Sequence, residues 1–170
     1  ASPWRGGPEP VAPETLAARG EQVRLLFFRA GGERFALDVT YVREILAARE
    51  VTPVPFVPDT VAGIVNHRGT IFTLIRFARL AGLAADEPGG IALLRLPEMS
   101  VGLLVERIEG IERVPGLLLA AGLPEGAPPP AAPFVRRAAD AQGRFVHAVD
   151  ADVLIDTIYQ LPGLVRAGEA

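Results

Sequence analysis

Few side chains in this sequence are of types that take part in catalysis or metal binding. A histidine and an arginine of this kind are adjacent in one short turn. The chain has two histidines, His67 and His147, and His67 is followed directly by Arg68. With a carboxylate such as Glu44, an imidazole and an arginine could hold a ligand or assist hydrolysis in a small β-barrel. The same side chains could equally form the polar part of a surface that binds another protein. The sequence leaves both functions open at this point.

The rest of the residue inventory argues against catalysis and against a metal or cofactor. The chain has no cysteine, which excludes disulfides, thiolate zinc sites and cysteine nucleophiles. A metal site needs three or four converging ligands, and no histidine or carboxylate spacing supplies them. The two serines, Ser2 and Ser100, lie outside any nucleophile elbow, and no glycine-rich phosphate loop precedes a helix. Asp150, Asp152 and Asp156 fit the start and solvated face of a helix better than an acid pair.

Charge and composition limit the kinds of partner. The chain has 170 residues, 49% of them hydrophobic, which is enough to bury a core in one domain or two small subdomains. Its formal net charge is −3 and every basic side chain except histidine is arginine, so a nucleic-acid footprint is not expected. No apolar run approaches the roughly 20 residues of a membrane-spanning helix, and the start lacks the order of a signal peptide. We expect a cytoplasmic protein that does not insert into a membrane.

The turn that carries Arg68 is predicted to be the tip of a β-hairpin. Two apolar runs, at 61–65 and 71–75, flank the sequence Asn-His-Arg-Gly, in which Gly69 permits a positive φ. Solvent-exposed turns are usually built from glycine, proline, asparagine, aspartate and serine. A histidine and an arginine between two apolar strands are therefore unusual. A partner for the arginine is therefore expected.

Short apolar strands and glycine or proline turns fill most of the remaining sequence, which predicts a mainly β fold. An amphipathic helix is predicted over 39–46, because Val39, Val42 and Ile45 recur at helical spacing after Asp38 as N-cap. Prolines make 51–55 an extended edge segment. The other predicted elements are strands at 23–29, 34–37, 91–96, 101–105, 106–114 (bent at Gly110), 134–141 and 144–149, a short helix at 76–81 and a C-terminal helix at about 150–161.

A weak internal repeat suggests two subdomains. The segments 58–82 and 133–161 each contain a proline, an apolar strand, a glycine turn with an arginine, a second strand and a short helix. Many short strands and a duplicated unit favour two small β-barrels over one sandwich. We therefore predict a single domain over 21–170, preceded by a flexible tail. The expected parts of the chain are a tail at 1–20 that contains Trp4, a first barrel at about 21–83, a second barrel at about 90–150 with a mobile proline-rich connection at 117–133, and the C-terminal helix.

Four sequence blocks, taken in order, resemble the CheW-like coupling domain of bacterial chemosensory systems. They read Tyr-Val-Arg-Glu-Ile at 41–45, Val-Thr-Pro-Val-Pro at 51–55, Gly-Ile-Val-Asn-His-Arg-Gly at 63–69 and Gly-Leu-Leu-Val-Glu at 102–106. The resemblance covers about residues 23–161, and the Asn-x-Arg-Gly turn preceded by Gly-Ile-Val is its most specific part. It implies a fold of two SH3-like five-stranded β-barrels that share an apolar core.

The resemblance also implies a function without catalysis or cofactor. A protein of this family is a scaffolding adaptor that couples the cytoplasmic tips of chemoreceptors to the regulatory domain of a CheA-type histidine kinase, in arrays that can include other CheW-like proteins. The helix and the hairpin border the receptor-contacting groove in the family. That border corresponds here to Val39, Val42, Glu44, Gly63 and Arg68. Glu44 and Arg68 match a family pair that forms a salt bridge, which would orient the planar guanidinium.

Several positions depart from the family pattern. After the hairpin the family commonly reads Val-Ile-Asp-Leu-Arg, whereas this chain reads Leu-Ile-Arg-Phe-Ala at 74–78, so that Arg76 replaces an acid. The segment Val-Arg-Arg-Ala at 135–138 also differs. A divergent member that binds receptors, but binds the kinase weakly or not at all, is therefore an alternative. His67 stands where the family commonly has an apolar residue, and we expect it to be a tolerated surface substitution.

Overall fold

Ten strands and two short α-helices make up the part of the chain that this computed structural model describes, residues 22–85, 87–115 and 132–162. The strands are β1 (Gln22–Ala30), β2 (Glu33–Asp38), β3 (Val42–Ala47), β4 (Val61–His67), β5 (Thr70–Arg76), β6 (Gly90–Leu94), β7 (Val101–Val105), β8 (Arg107–Pro115), β9 (Val135–Ala139) and β10 (Phe145–Val149). The helices are α1 (Phe77–Leu80) and α2 (Ala151–Tyr159). The predicted tail with Trp4, and most of the predicted proline-rich connection, lie outside the described residues.

The strands form two five-stranded sheets, as predicted. The first sheet has the order β8-β1-β2-β10-β9 and the second has the order β3-β6-β7-β5-β4. Each sheet is built on a central antiparallel pair, β1 with β2 and β6 with β7. In each sheet the later strand of that pair has a parallel neighbour, which is β10 beside β2 and β5 beside β7.

The predicted division of the chain between the two barrels is wrong. The first sheet takes β1 and β2 from the start of the domain and β8 to β10 from its end, whereas β3 to β7 form the second sheet. The prediction divided the chain into 21–83 and 90–150 because adjacent hairpins were assigned to one barrel. Pairs of strands distant in sequence cross the predicted boundary, both antiparallel (β1 with β8, β3 with β6) and parallel (β2 with β10, β5 with β7). A local hairpin pattern carries no information about such pairs.

The two sequence repeats occupy equivalent places in the two sheets. The β4–β5 hairpin lies at one edge of the second sheet and is followed by α1, and the β9–β10 hairpin lies at one edge of the first sheet and is followed by α2. In both hairpins the second strand runs parallel to a strand of the central pair. The weak sequence repeat therefore corresponds to a structural repeat.

The helix predicted over 39–46 is not formed. Only Val39–Tyr41 is helical, as a single 3-10 turn that Asp38 caps by accepting a hydrogen bond from the Thr40 amide at 2.9 Å. Val42–Ala47 is strand β3, which pairs with β6 in antiparallel register. Spacing over so few residues is weak evidence for a helix, and the β-branched side chains of valine and isoleucine favour the strand.

The largest group of buried side chains lies where the two sheets and α2 meet. It takes Leu26, Phe28, Phe35 and Leu37 from the first sheet, Ile75, Leu94 and Leu103 from the second sheet, Phe77 from α1, and Leu154, Ile155 and Ile158 from α2. Phe77 makes edge-to-face contacts with Phe28 and Phe35, at ring-centroid distances of 5.0 and 4.8 Å. Two smaller apolar clusters belong to one sheet each. The two sheets therefore share a core, and each also has its own interior.

Two further findings concern the described residues only. None of their helices is long and apolar enough to cross a membrane. No group of three or more histidine, aspartate or glutamate side chains within 22–85, 87–115 and 132–162 could hold a metal ion.

Candidate partner-binding surface

The β4–β5 hairpin turns through Arg68 and Gly69, both at positive φ (52° and 83°). Their flanking residues, His67 and Thr70, pair across the strands, so the loop has two residues and the backbone signs of a type I′ turn. Asn66 stabilises the turn by accepting a hydrogen bond from the Gly69 amide on its side-chain oxygen at 3.0 Å. The predicted hairpin tip is confirmed at these four residues.

Arg68 lies in a conformation that L-residues with side chains rarely adopt. Asparagine, aspartate or glycine is the common choice at the first loop position of a type I′ turn. The backbone instead holds an arginine whose side chain is 79% exposed. The turn thus presents a guanidinium to solvent at the end of the second sheet.

Glu44, on β3, contacts two residues of the hairpin. Its Oε1 is 3.6 Å from Nη1 of Arg68, and its Oε2 is 3.0 Å from Nε2 of His67. The predicted pair is therefore within ion-pair distance, but the shorter contact is made by His67. Because β3 and β4 are the two outer strands of the second sheet, these side chains link its opposite edges.

Arg49, just beyond β3, contacts the same histidine from its other side. Its Nη2 donates to the Asn66 carbonyl at 2.7 Å and lies 3.3 Å from Nδ1 of His67. The imidazole is only 15% exposed. The sequence led us to expect a surface substitution at His67, and the structure instead shows a largely buried ring. The sequence gives little sign of this, because Glu44 and His67 are 23 positions apart and meet only through the closing of the sheet.

Two of the residues expected at the partner surface are buried instead. Val42 belongs to the shared core, and Val39 packs partly against it. Gly63 is also buried, at a φ of 146°, and a Cβ added there would lie 2.1 Å from the Thr52 carbonyl oxygen. The expectation that Val42 and Gly63 lie on the surface is therefore wrong. Gly63 allows the predicted edge segment to bridge to β4 through Thr52 and Ile64.

Apolar side chains near the hairpin add to the exposed surface. Ile71 faces Asn66 across the hairpin and is 49% exposed. Phe56, in the proline-rich turn between β3 and β4, is completely exposed and has a φ of 60°. Arg68 and Ile71 are thus exposed side chains of this region, with Glu44 half-buried beside them and Phe56 exposed on the neighbouring loop.

The first sheet carries a second cluster of charges, centred on Arg34. Arg34 donates to Glu109 at 2.8 Å and to Asp140 at 2.6 Å, and its guanidinium lies over the Phe27 ring at 4.4 Å. Glu109 is the extra residue of a bulge opposite Phe27 and Phe28, next to the predicted bend at Gly110. Burial alone would raise the pKa of Glu109, but hydrogen bonds from Arg34 and Arg29 lower it below its ordinary value.

The arrangement of these clusters tests the hydrolytic and ligand-binding alternative. A cavity of about 340 Å³ lies beside the Arg34 cluster, lined by Phe27, Arg29, Arg34, Glu109, Gly110, Ile111, Glu112 and Arg144. It belongs to the first sheet, whereas the pair of His67 with Glu44 belongs to the second sheet and lines no part of it. The histidine and the cavity are therefore separate, and a site that combines them is not formed.

Arg76, which departs from the family pattern, is used inside the chain. Its Nη1 donates to the carbonyl oxygens of Asp59 and Val61, at 2.6 and 3.2 Å. Asp59 also pairs with Arg79 of α1 at 2.7 Å. The arginine thus links the loop before β4 to the end of β5. An acid at this position could not donate these hydrogen bonds.

Comparison with known proteins gives one consistent family. The family model described as "CheW-like domain" matches residues 24–158. The chain is 30% identical to the chemotaxis protein CheW of Thermotoga maritima over 103 residues, which are 59% of this chain and 68% of that protein. It is 33% identical to CheW of Rhizobium meliloti over 51% of this chain and 58% of that protein. A crystal structure of the scaffolding protein TtCheW from Thermoanaerobacter tengcongensis has a similar fold, with a TM-score of 0.64 and 19% identity, and the match covers 76% of this chain and 89% of that one.

Proposed function

The chain belongs to the CheW-like domain family, and from this premise we propose which partners it joins and through which residues. Its role is that of a non-catalytic chemotaxis adaptor. We propose that it couples the cytoplasmic tip of a chemoreceptor to the regulatory domain of a CheA-type histidine kinase. Other CheW-like proteins are further candidates for partners in the same array.

The observation that carries the receptor proposal is the presentation of Arg68. The type I′ turn holds Arg68 at a positive φ, which strains the backbone of a residue with a side chain, and that side chain is 79% exposed. Binding of the guanidinium by a partner gives a reason for this strained, exposed position. Ile71, on the same hairpin, supplies apolar contact area beside the charge. Tight interfaces commonly combine an arginine with an apolar neighbour. We therefore place the receptor contact on the Arg68 turn, with Glu44 as the residue that orients it.

Val39, Val42 and Gly63 contribute to this surface in a different way. The two valines belong to or pack against the shared core, and Gly63 allows the bridge between Thr52 and Ile64. Substitutions there would change receptor binding through the position of β3 and β4. The proposal thus separates one contact residue, Arg68, from residues that hold its support in place.

Retention of kinase binding is part of the proposal. The replacement of an acid by Arg76 raises the alternative of a chain that binds receptors only. Arg76 donates to two backbone carbonyls of its own chain and lies 3.8 Å from the Asp59 carboxylate, so both its donors and its charge have partners within the chain. The adaptor function with both partners is therefore preferred.

Reconstitution of the three proteins tests the function. This protein is mixed with receptor fragments and CheA-type kinase from the same organism, and autophosphorylation of the kinase is measured with and without the receptor. We expect control of the kinase by the receptor to require this protein, and Arg68→Glu to weaken receptor binding at least tenfold. Arg113→Glu, at an exposed site on β8 of the first sheet, is the matched charge reversal and should leave receptor binding unchanged. Unchanged kinase output on addition of this protein would contradict the coupling function.

A further inference from the structure

His67 is a side chain of this surface whose contacts are not explained by the Glu44–Arg68 pair. Both of its ring nitrogens have a polar neighbour, Nε2 at 3.0 Å from Oε2 of Glu44 and Nδ1 at 3.3 Å from Nη2 of Arg49. With 15% exposure, the ring is held between these two partners. The imidazole therefore joins the segment after β3 to the carboxylate on β3.

The chemistry of the two neighbours fixes the proton on the ring. A guanidinium can only donate hydrogen bonds, so Nδ1 facing Arg49 must offer its lone pair. A carboxylate can only accept, so Nε2 facing Glu44 must carry the hydrogen. The neutral tautomer protonated on Nε2 satisfies both contacts at once. In this tautomer Arg49 donates to His67 and His67 donates to Glu44.

This chain of hydrogen bonds changes what Arg68 can do. An arginine that has a carboxylate to itself commonly binds both oxygens with its planar fork. Here Oε2 of Glu44 accepts from His67, and Nη1 of Arg68 lies 3.6 Å from Oε1, beyond hydrogen-bond distance. The guanidinium thus has unused donors and is turned to solvent.

We propose that His67 is a positioning residue that holds Glu44 and thereby keeps Arg68 available to a carboxylate on the receptor. The inference rests on the proposed receptor contact at Arg68. A surface with Glu44 and Arg68 but no histidine would lack this control of the arginine. An acidic side chain on the partner is the group that the remaining guanidinium donors fit.

The experiment compares three versions of the full chain binding a receptor fragment, by calorimetry at one pH. His67→Gln can donate to Glu44 and accept from Arg49, so it should bind like wild type. His67→Leu makes neither hydrogen bond and lets Arg68 pair with both oxygens of Glu44, so it should bind about two- to fivefold more weakly. Normal binding by His67→Leu, or a loss in His67→Gln as large as that in His67→Leu, would overturn the proposal.

A measurement on the free protein keeps this test separate from the proposed function. Because the chain has two histidines, nitrogen NMR of the ring can be assigned with the His67→Gln variant. At pH 8 we expect the tautomer with hydrogen on Nε2. The guanidinium signal of Arg68 should respond to Glu44→Gln more strongly in His67→Leu than in wild type. If wild type does not bind the receptor fragment, the proposed function fails. In that case the tautomer and the response of the Arg68 signal still test whether His67 positions Glu44. Hydrogen on Nδ1 would refute that role.

Discussion

The two hairpins that repeat in this fold treat an arginine beside a carboxylate in opposite ways. In the β9–β10 hairpin, the Asp140 side chain is 1% exposed and bonds to Arg144 of its own turn and to Arg34 of β2. In the β4–β5 hairpin, Arg68 is 79% exposed and shares a half-buried carboxylate with a histidine. The same strand-turn-strand unit thus buries its carboxylate in the first sheet and leaves its arginine exposed to solvent in the second.

Asp140 is the more constrained of the two carboxylates. Its Oδ1 accepts from the amides of Gln142 and Arg144, both at 2.9 Å. Its Oδ2 accepts from Nη1 of Arg34 at 2.6 Å and from Nε of Arg144 at 3.0 Å. Burial alone would raise the pKa of Asp140, but the hydrogen bonds from Arg144, Arg34 and Gln142 hold it below its ordinary value of 3.8. Four donors and a buried position indicate a structural role.

The largest effect is expected from removal of the buried carboxylate. Asp140→Ala leaves Arg34, which is 14% exposed, without its shortest ion pair and leaves two turn amides without an acceptor. Breaking a buried pair by removing one partner costs about 3 kcal/mol or more. We expect the free energy of unfolding, measured with urea, to fall by about that amount.

Asp59→Ala is the matched control for this prediction. Asp59 pairs with Arg79 at 2.7 Å, almost the same distance, but its side chain is 66% exposed. Exposed pairs contribute about 0 to 1 kcal/mol. If both variants lose the same free energy of unfolding, burial does not make the Asp140 ion pairs stronger than the exposed pair of Asp59. The contrast between the two hairpins would then be wrong.

A smaller effect is expected from acid. A carboxyl whose pKa is lower in the folded state than in the unfolded chain binds fewer protons when folded, so its contribution is present at neutral pH and is lost as the pH falls. For Asp140 that loss begins near its ordinary pKa of 3.8 and continues below it. The urea midpoint of wild type should therefore drop between about pH 5 and 3 more steeply than that of Asp140→Asn. A constant difference between the two proteins across this range would contradict the role assigned to Asp140.

The local parts of this fold could be predicted from the sequence, and the long-range parts could not. The β4–β5 hairpin follows from two apolar runs around Asn66 to Gly69, and α2 follows from Asp150, which caps it by accepting from the Val153 amide. β6 and β7 join the second sheet through two long-range pairings, the antiparallel pair β3 with β6 and the parallel pair β5 with β7. Such pairing leaves no mark in either strand taken alone, which is why the predicted barrel boundaries failed.

The candidate site divides in the same way. Glu44 and Arg68 were found through the family pattern, and they do lie within 3.6 Å. The helix expected beside them is strand β3, because spacing over a few residues does not distinguish the two structures. The contacts of His67 with Glu44 and Arg49 arise only when the outer strands of the second sheet come together. A sequence contains the residues of such a site, but only the closed sheet determines which of them are partners.

The smallest effect is expected from Arg68→Ala on the free protein, and it sharpens the contrast most. Arg68 contacts Glu44 at 3.6 Å and is 79% exposed, so its loss should change the free energy of unfolding by less than about 1 kcal/mol. Arg144→Ala should cost more, although Arg144 is itself 67% exposed, because its guanidinium bonds the buried Asp140. Urea unfolding of both variants gives the comparison, and receptor binding is then measured on the same samples. A variant at Arg68 that folds as stably as wild type but binds less tightly assigns this hairpin to the interface. A loss of stability as large as that of Asp140→Ala would instead make both hairpins structural.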